Sequence, residues 1–370
     1  MKKLGFGFMR LPLLDGNDPT SFDKSQICEM VDKFLELGFN YFDTAYMYHN
    51  GTSENIIKEV LVDRYDRSDF LLATKMPTMM LKEKDDLERI FSEQLEKTGA
   101  EYFDYYLMHC LTKENYEITE RLGGFEFALE KKSQGLIKKL GFSFHDTPEL
   151  LDKILTEHPE TEFVQLQINY LDWDSEDVQS ERCYNIAVKH GKEVIVMEPI
   201  KGGSLANVPK RAEKLFKETE PQMSVASWAI RFAASLPNVI MVLSGMSNLG
   251  QLCDNTSYMN NFVPLNNNEI NICMNAADII KSTIAVNCTK CRYCIEGCPM
   301  NIAICEYFAL LNALNSGEKE LCELKTEYSG FAEKYGKASD CIGCGQCEQH
   351  CPQHIKIIST LENTASVFED

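Results

Sequence analysis

Long apolar stretches and an excess of basic residues are both missing from this 370-residue sequence. No apolar run approaches the ~18 residues that a membrane-spanning helix needs. Lysine and arginine number 37 against 56 acidic residues, and the net charge of −19 argues against binding to a phosphate backbone or an anionic membrane. A composition of 44% hydrophobic and 25% charged residues excludes disordered, collagen-like and coiled-coil classes. We therefore expect a globular protein with no nucleic-acid partner and no membrane.

A secretory signal is also lacking. The first residues, MKKLGFGFMRLPLL, contain only a short apolar part, Arg10 interrupts it, and no small-residue cleavage site follows. We interpret this segment as the first strand of the fold and expect the protein to stay in the cytoplasm.

Cysteine, by contrast, is abundant, and eight of the 15 cysteines fall in two short blocks near the C-terminus. Such clustering is unlike the even distribution of a secreted disulfide framework. The others are scattered among apolar segments and are expected to be small buried hydrophobic residues. These are Cys28, Cys110, Cys183, Cys253, Cys273, Cys305 and Cys322.

Between residue 4 and about residue 245, short apolar runs alternate with amphipathic helical stretches. The run from Ile27 to Leu35 has apolar residues at helical spacing, and Gly38 is placed to end that helix. Alternating strands and helices predict parallel pairing, and eight such units in roughly 250 residues are the number that closes a (β/α)8 barrel, the TIM-barrel class of α/β fold. A doubly wound open sheet is the alternative, which the absence of GxGxxG after the first strand disfavours. The predicted strands are Leu4–Met9, Phe39–Thr44, Phe70–Lys75, Phe103–His109, Lys138–Ser143, Phe163–Asn169, Glu193–Glu198 and Val239–Ser244.

In a closed barrel, chemistry takes place at the C-terminal ends of the strands. The polar residues predicted at those ends are Asp43, Lys75, His109, Ser143, Gln165 and Asn169. Tyr48 follows Asp43 in the loop that leaves the second strand. Lys75 beside this phenol would lower its pKa, Asp43 would hold the lysine, and His109 would orient a carbonyl oxygen. Such a group could protonate or deprotonate an oxygen on a carbonyl or alcohol carbon; the alternative is a structural Asp43–Lys75 ion pair with Tyr48 as a packing residue.

Four segments in this order resemble the aldo-keto reductases: FDTAYMY at Phe42–Tyr48, ATKMP at Ala73–Pro77, YYLMH at Tyr105–His109 and KKLGFSFH at Lys138–His145. The resemblance extends from residue 1 to about residue 280. It implies a (β/α)8 barrel in which hydride passes from a nicotinamide to the carbonyl group of a small molecule. It also implies a catalytic tetrad of Asp43, Tyr48, Lys75 and His109, with Tyr48 as the proton donor.

The same resemblance implies a set of nucleotide contacts. Ser143 and Gln165 would bind the nicotinamide carboxamide. The remaining implied positions are Gly7 and, in the loop after the eighth strand, Gly245, Met246, Ser247, Gln251 and Asn255. We also expect Met197 and Gly202 to bind the cofactor. Gly202 and Gly203 would let the backbone approach a pyrophosphate.

The sequence departs from the family at four positions. Relatives that prefer NADPH usually place lysine or arginine where this chain has Gly245 and Gln251, so we expect NADH to be accepted at least as readily as NADPH. Met197 stands where many relatives have a tyrosine that stacks on the nicotinamide, and Phe144 stands where asparagine is common. The sequence has no separate flavin motif, and FMN at the barrel mouth stays an open alternative.

Two runs near the C-terminus have the spacing C-x2-C-x2-C-x3-C-P, which is the bacterial ferredoxin pattern. In two-cluster ferredoxins the fourth cysteine of each run ligates the other cluster. One [4Fe–4S] cluster is therefore assigned to Cys288, Cys291, Cys294 and Cys351, and the other to Cys341, Cys344, Cys347 and Cys298. Zinc is the alternative metal for such a pattern.

The segment between the runs is long, and Ala303–Leu314 within it is predicted to be helical, so this part is expected to be a helix-elaborated ferredoxin module. The predicted domains are a barrel at 1–281 and a ferredoxin-like domain at 282–370. Exposed clusters are oxygen-labile, which points to an anaerobic or microaerobic cell.

Three functions follow from this combination. The first is NAD(P)H-dependent carbonyl reduction, accompanied by or coupled to the clusters. The second is a ferredoxin-linked reductase, fed with electrons by a redox partner protein, in which nicotinamide is secondary or absent. The third is a redox sensor with a vestigial barrel, which the intact tetrad disfavours.

Overall fold

The computed structural model describes residues 2–317 and 319–369. Eight parallel strands close a barrel in sequence order. They are β1 (Leu4–Gly7), β2 (Tyr41–Asp43), β3 (Leu71–Met76), β4 (Phe103–Leu111), β5 (Ile137–Phe144), β6 (Phe163–Gln167), β7 (Glu193–Met197) and β8 (Val239–Ser244). The prediction of a (β/α)8 barrel is confirmed, and all eight predicted strands are present with ends that differ by three residues or fewer.

Seventeen α-helices lie in the described part of the chain. They are α1 (Lys24–Glu36), α2 (Tyr48–Gly51), α3 (Ser53–Ile57), α4 (Asp85–Thr98), α5 (Lys113–Leu122), α6 (Gly124–Ser133), α7 (Pro148–Glu157), α8 (Ser180–Lys189), α9 (Lys210–Thr219), α10 (Val225–Ala234), α11 (Leu249–Met259), α12 (Asn267–Lys281), α13 (Tyr293–Glu296), α14 (Ile304–Asn315), α15 (Leu321–Ala332), α16 (Gln346–Gln349) and α17 (Ile357–Phe368). Helix α1 illustrates how the sequence sets these bounds. The Asp23 carboxylate accepts from the Gln26 amide at its start, and Gly38 adopts the left-handed conformation just beyond its end. No described helix is long and apolar enough to cross a membrane.

The barrel interior is filled from the N-terminal end by large side chains. The rings of Tyr41 and Phe163 both pack against Tyr105, with centroids 4.9 and 5.2 Å from it. Gly141 faces Phe163 across the β5–β6 pair, and a Cβ at Gly141 would lie only 2.4 Å from the Phe163 carbonyl oxygen. Apolar filling at this end leaves the polar strand ends at the opposite end of the barrel, where they form the site described below.

The chain forms two compact units, each made of segments that are not consecutive in sequence. The first contains Met1–Asp174, Gln179–Pro199 and Ala226–Asn267. The second contains Ser175–Val178, Ile200–Val225 and Asn268–Asp370, so it takes the segment after β7 that sequence analysis had assigned to the barrel. Packing within the second unit explains this: the Lys201 ammonium donates to Oε1 of Gln353 at 3.1 Å.

The second unit has its own core. Buried side chains of α14, α15 and α17 form it, with Tyr328 stacked on Phe368 and 4.6 Å from Tyr307 between ring centroids. The predicted helix at Ala303–Leu314 is confirmed as α14. Helix α15 lies between the two cysteine runs in the chain and accounts for the length of the segment that separates them.

The expectation of buried scattered cysteines is correct for Cys183, Cys273 and Cys305 and wrong for two others. Cys253 on α11 and Cys322 in the first turn of α15 are exposed. Both helices have a solvent face, and sequence spacing alone did not separate that face from the packed one.

The segment after β7 gives a prediction about packing inside the second unit. A Cβ at Gly202 would lie 2.3 Å from the Thr289 carbonyl oxygen, whereas a Cβ at Gly203 would meet nothing within 4 Å, and both glycines have positive φ. Gly202→Ala should therefore be less stable than Gly203→Ala by about 2 kcal/mol, the usual cost of overpacking. Thermal unfolding followed by circular dichroism should show the difference as roughly 4–8 °C. Equal melting temperatures would contradict the contact.

Candidate functional site

A buried ion pair lies at the C-terminal ends of β2 and β3. The Lys75 ammonium is 2.6 Å from Oδ1 of Asp43, and the two residues are 0% and 3% exposed. Lys75 also donates to the Thr44 carbonyl oxygen at 2.8 Å. Burying two charges is costly unless further hydrogen bonds satisfy them, and this carbonyl supplies one.

Tyr48 and His109 complete the predicted group of four. The Lys75 ammonium donates to the Tyr48 hydroxyl at 3.3 Å and lies 4.9 Å from the centre of its ring. The Tyr48 and His109 rings are nearly perpendicular, with centroids 6.0 Å apart. The structure therefore brings all four side chains together at one end of the barrel.

The predicted effect of Lys75 on Tyr48 is wrong. Burial raises the pKa of Tyr48 well above its usual value of 10, and the Asp43 and Glu198 carboxylates raise it further. The lysine charge does not reverse this, because Asp43 compensates it at 2.6 Å. Tyr48 therefore remains a protonated phenol at neutral pH, which is the form that can donate a proton.

His109 is held in its neutral form. Burial lowers the pKa of the imidazole well below 6.5, and the nearby Lys75 charge lowers it further. Its Nδ1 atom is buried without a hydrogen-bond partner among the described residues. A neutral imidazole can donate one hydrogen bond without adding a charge.

Glu54, which sequence analysis missed, lies behind the ion pair. Its side chain is 0% exposed, and Oε1 accepts from the Thr74 hydroxyl at 2.7 Å and from the Gln94 amide at 2.9 Å. The same Gln94 amide donates to the Lys75 carbonyl oxygen at 3.0 Å. Burial raises the pKa of Glu54 to about 7. No sequence signal separated Glu54 from the exposed Glu59 of the next turn.

Ser143 and Gln165 are direct neighbours in the β5–β6 register. The Ser143 hydroxyl accepts from the Cys110 amide at 2.7 Å and keeps its own proton available. The Gln165 amide nitrogen lies 3.5 Å from Oδ2 of Asp43, which leaves Oε1 free to accept. One donor and one acceptor thus stand side by side next to the ion pair. Met197, at the end of β7, is partly exposed.

The loop after β8 divides into exposed and buried positions. Gly245, Ser247 and Gln251 are exposed, and the Ser247 amide donates to Oε1 of Gln251 at 2.7 Å. Met246, between two of these exposed residues, is 0% exposed.

Asn255 is buried and engaged within the protein. Its amide nitrogen donates to the Ser244 hydroxyl at 2.9 Å, and its oxygen accepts from the Tyr258 hydroxyl at 2.6 Å. Asn255 therefore fits a structural role in α11.

The two other glycines predicted to bind the cofactor differ in their surroundings. Gly202 lacks a side chain because it packs against the Thr289 carbonyl oxygen, whereas a Cβ at Gly7 would make only ordinary contacts of 3.5 Å or more.

The cysteine runs of the second unit form two groups. One cavity is lined by Cys298, Cys341, Cys344 and Cys347, the set assigned to one cluster. Cys351, in the second run, lies within electrostatic range of Cys288, in the first. The crossed assignment of the fourth cysteines is thus consistent with the fold.

The donor set of the two runs fits an iron–sulfur cluster. Each run supplies four thiols at the C-x2-C-x2-C-x3-C-P spacing of bacterial ferredoxins. In a cubane cluster such thiolates occupy separate corners, whereas a tetrahedral zinc site needs four ligands about 2.3 Å from one centre.

Both cysteine loops turn through left-handed residues at equivalent positions. Lys290 and Arg292 have φ of 55° and 68° in the first run, where Gly343 and Gly345 have 67° and 78° in the second. Left-handed backbone at lysine and arginine costs of order 1 kcal/mol each, and such strain concentrates at ligand sites.

Comparison with known proteins agrees with this geometry. The family model "Aldo/keto reductase family" matches residues 3–278, and "4Fe-4S dicluster domain" matches residues 287–356. The chain belongs to the aldo/keto reductase family. It is an oxidoreductase of that type with a C-terminal iron–sulfur domain.

Relatives of this aldo/keto reductase cover the barrel. An uncharacterised oxidoreductase of Bacillus subtilis, YqkF, is 23% identical over 269 residues, or 64% of this chain and 83% of its own. An aldo-keto reductase structure from Bacillus halodurans has a TM-score of 0.59 at 24% identity and covers 74% of this chain and 91% of its own. A Klebsiella pneumoniae aldo/keto reductase in complex with NADP and acetate has a TM-score of 0.58 at 16% identity over 75% of this chain and 91% of its own. At these identities the structures establish the fold.

Glu54 gives this aldo/keto reductase a pH-dependent stability. Its carboxyl has a pKa near 4.5 when unfolded and about 7 when folded, so the folded state binds more protons between these values. The contribution of Glu54 to the free energy of unfolding is complete below pH 4.5 and falls by roughly 3 kcal/mol as the pH rises to 7.

Glu54→Gln cannot titrate, so its free energy of unfolding relative to wild type should rise over that range. Urea unfolding followed by tryptophan fluorescence measures this, because Trp173 and Trp228 both lie in the first unit. Glu117→Gln, at an exposed position of α5, should leave the pH profile unchanged. If Glu54→Gln and wild type give parallel profiles, Glu54 is not a buried titrating group.

Proposed function

We propose that this protein reduces an aldehyde or ketone with NADH or NADPH, with Tyr48 as the general acid. The observation that carries the proposal is the Tyr48 hydroxyl 3.3 Å from the Lys75 ammonium, which is itself held 2.6 Å from Asp43. A phenol that stays protonated and adjoins a fixed cation can give up its proton as negative charge develops on a carbonyl oxygen.

Each member of the tetrad has one part in this reaction. Neutral His109 donates a hydrogen bond that orients the substrate carbonyl. Tyr48 gives its proton to the carbonyl oxygen, and Lys75 stabilises the phenolate that remains. Asp43 keeps Lys75 in position. A bound reduced nicotinamide supplies the hydride that reaches the carbonyl carbon.

Ser143 and Gln165 are the residues that would hold the nicotinamide. A carboxamide needs a donor for its carbonyl oxygen and an acceptor for its amino group. The Ser143 hydroxyl and Oε1 of Gln165 offer these side by side. We propose that the Met197 side chain lies against the nicotinamide. We propose that Gly7, Met246 and Ser247 contact the nucleotide through their backbone. Asn255 is left out of this set because its side chain is hydrogen-bonded within the protein.

The adenosine end favours NADH at least as much as NADPH. Gly245 and Gln251 carry no charge, and the nearby Arg10 lies 3.9 Å from the Glu198 carboxylate, which reduces its pull on a 2′-phosphate. The Klebsiella relative was solved with NADP, so both nucleotides belong in the test.

Tyr48→Phe tests the general acid. The variant keeps the ring and loses the proton, so kcat for a panel of aromatic and aliphatic aldehydes should fall by ~10²–10⁴. Iron and sulfide content should not change. Tyr46→Phe is the matched control, because the Tyr46 hydroxyl donates to Glu93 of α4. Undiminished turnover by Tyr48→Phe would show that Tyr48 is not the acid.

We further propose that the second unit holds two [4Fe–4S] clusters with the ligands assigned above. The cavity lined by Cys298 and the second run, and the electrostatic influence of Cys288 on the Cys351 thiol, support the crossed arrangement. We keep the predicted domain boundary at 281/282, which lies between the two family matches. Because exposed clusters are oxygen-labile, we propose the cytoplasm of an anaerobic or microaerobic cell.

The dicluster domain favours a second candidate function. Each cluster carries one electron, so a partner protein could feed electrons through the clusters to a substrate in the barrel, with or without a flavin. Such an enzyme would need a low-potential donor for turnover and would use nicotinamide little or not at all.

One anaerobic titration of the cluster-loaded protein, first with NADH and then with NADPH, separates these functions. We expect tryptophan fluorescence to report NADH binding at least as tight as NADPH binding, and we expect the cluster absorbance to persist. Much tighter NADPH binding would contradict the coenzyme proposal. Bleaching of the cluster band would favour the electron-transfer function.

A further inference from the structure

The second unit is built from two copies of one motif. Every position of the first cysteine run has its counterpart 53 residues later, as Cys288 has in Cys341. The secondary structure repeats with the same offset: α13 and α16 begin two residues after the second cysteine, and α14 and α17 begin six residues after the fourth. Differences between equivalent positions therefore identify what distinguishes the two cluster sites.

One such difference is Cys305 at the start of α14, whose counterpart on α17 is Ile358. Ile358 lines the cavity that Cys298 shares with the second cysteine run. The repeat therefore places residue 305 against the first cluster site, as residue 358 is placed against the second.

Contacts of Cys305 agree with that placement. The side chain is 1% exposed, and its Sγ lies 3.7 Å from the Sγ of Cys294. The Cys305 thiol is also hydrogen-bonded with the Cys288 thiol. A fifth thiol thus adjoins two of the three cysteines that the first run contributes to this cluster.

We propose that Cys305 is a reserve ligand of the first cluster, able to take the place of Cys294. The proposal rests on the two clusters proposed above. When Cys294 is absent, the Cys305 thiol loses its proton to solvent and its sulfur forms the bond to the open iron. No iron changes oxidation state. Because the two sulfurs are neighbours, the exchange needs a side-chain movement rather than a rearrangement of α14.

The test is iron and sulfide content with the electron paramagnetic resonance spectra of the chain as isolated, in which a three-iron cluster would appear, and after reduction with dithionite. Wild type should hold about eight irons, and Cys294→Ala should keep them. Cys294→Ala/Cys305→Ala should hold about four, and Cys305→Ala alone should keep about eight. Tryptophan fluorescence and circular dichroism check that each variant is folded.

The second copy supplies a matched control. Cys347→Ala should lose its cluster, because the counterpart of Cys305 there is an isoleucine. Cys347→Ala/Ile358→Cys should recover it.

Loss of a cluster from Cys294→Ala, or a three-iron spectrum, would overturn the reserve-ligand proposal while wild type still holds about eight irons. Retention of eight irons by Cys294→Ala/Cys305→Ala would overturn it as well. Wild type without iron would instead refute the cluster proposal itself.

Discussion

The buried contact between Lys75 and Asp43 is the constraint on which the barrel site depends. A 0% exposed ammonium is tolerable only with its carboxylate at 2.6 Å and the Thr44 carbonyl at 2.8 Å, so the ends of β2 and β3 must be held in register. Removing one partner of such a pair typically costs 3–5 kcal/mol. The same geometry positions the Tyr48 hydroxyl beside the cation and lets Lys75 depress the pKa of His109. The same ion pair therefore holds the strand ends in place and positions the proposed proton donor.

Charge around the pair explains why Tyr48 behaves differently from the sequence-based expectation. A lysine lowers the pKa of a neighbouring phenol when its charge is uncompensated. Here Asp43 compensates Lys75, and burial acts on the Tyr48 hydroxyl in the opposite direction. Tyr48 therefore stays protonated, and in the proposed reaction Lys75 acts only as the phenolate forms. Glu54 adds a second buried carboxyl behind Lys75. The Gln94 amide donates both to Glu54 and to the Lys75 carbonyl oxygen, so it links the protonation of Glu54 to the position of the Lys75 backbone.

Local patterns and the family resemblance were enough to predict the eight strands, the convergence of the Asp43, Tyr48, Lys75 and His109 side chains, and the cysteine runs. Each of these predictions depends on the spacing of residues that are close in sequence, or on motifs that occur along the chain in the same order as the strands. The helix from Ile27 to Leu35 could be predicted from spacing in the same way. The predictions that were wrong, and the residues that were not predicted, depend instead on contacts between residues far apart in sequence. The burial of Glu54 is decided by Thr74 and Gln94, which lie 20 and 40 residues away in sequence. The membership of Gly202 in the second unit is decided by Thr289, and the exposure of Cys253 by the face that α11 turns to solvent.

The number of clusters has a meaning in electron counting. A hydride carries two electrons, whereas one [4Fe–4S] cluster accepts or donates one. The two clusters that we propose would together hold the two electrons of a single hydride, whereas a one-cluster module would not. The reduction potential of a cluster depends on the groups around it. The two copies of the motif differ at the position that is Cys305 in the first and Ile358 in the second. They also differ where the first has Lys290 and Arg292 and the second has glycines. Inequivalent surroundings would give the two proposed clusters different potentials. In the electron-transfer function proposed above, the electrons of a pair would then leave or arrive one after the other.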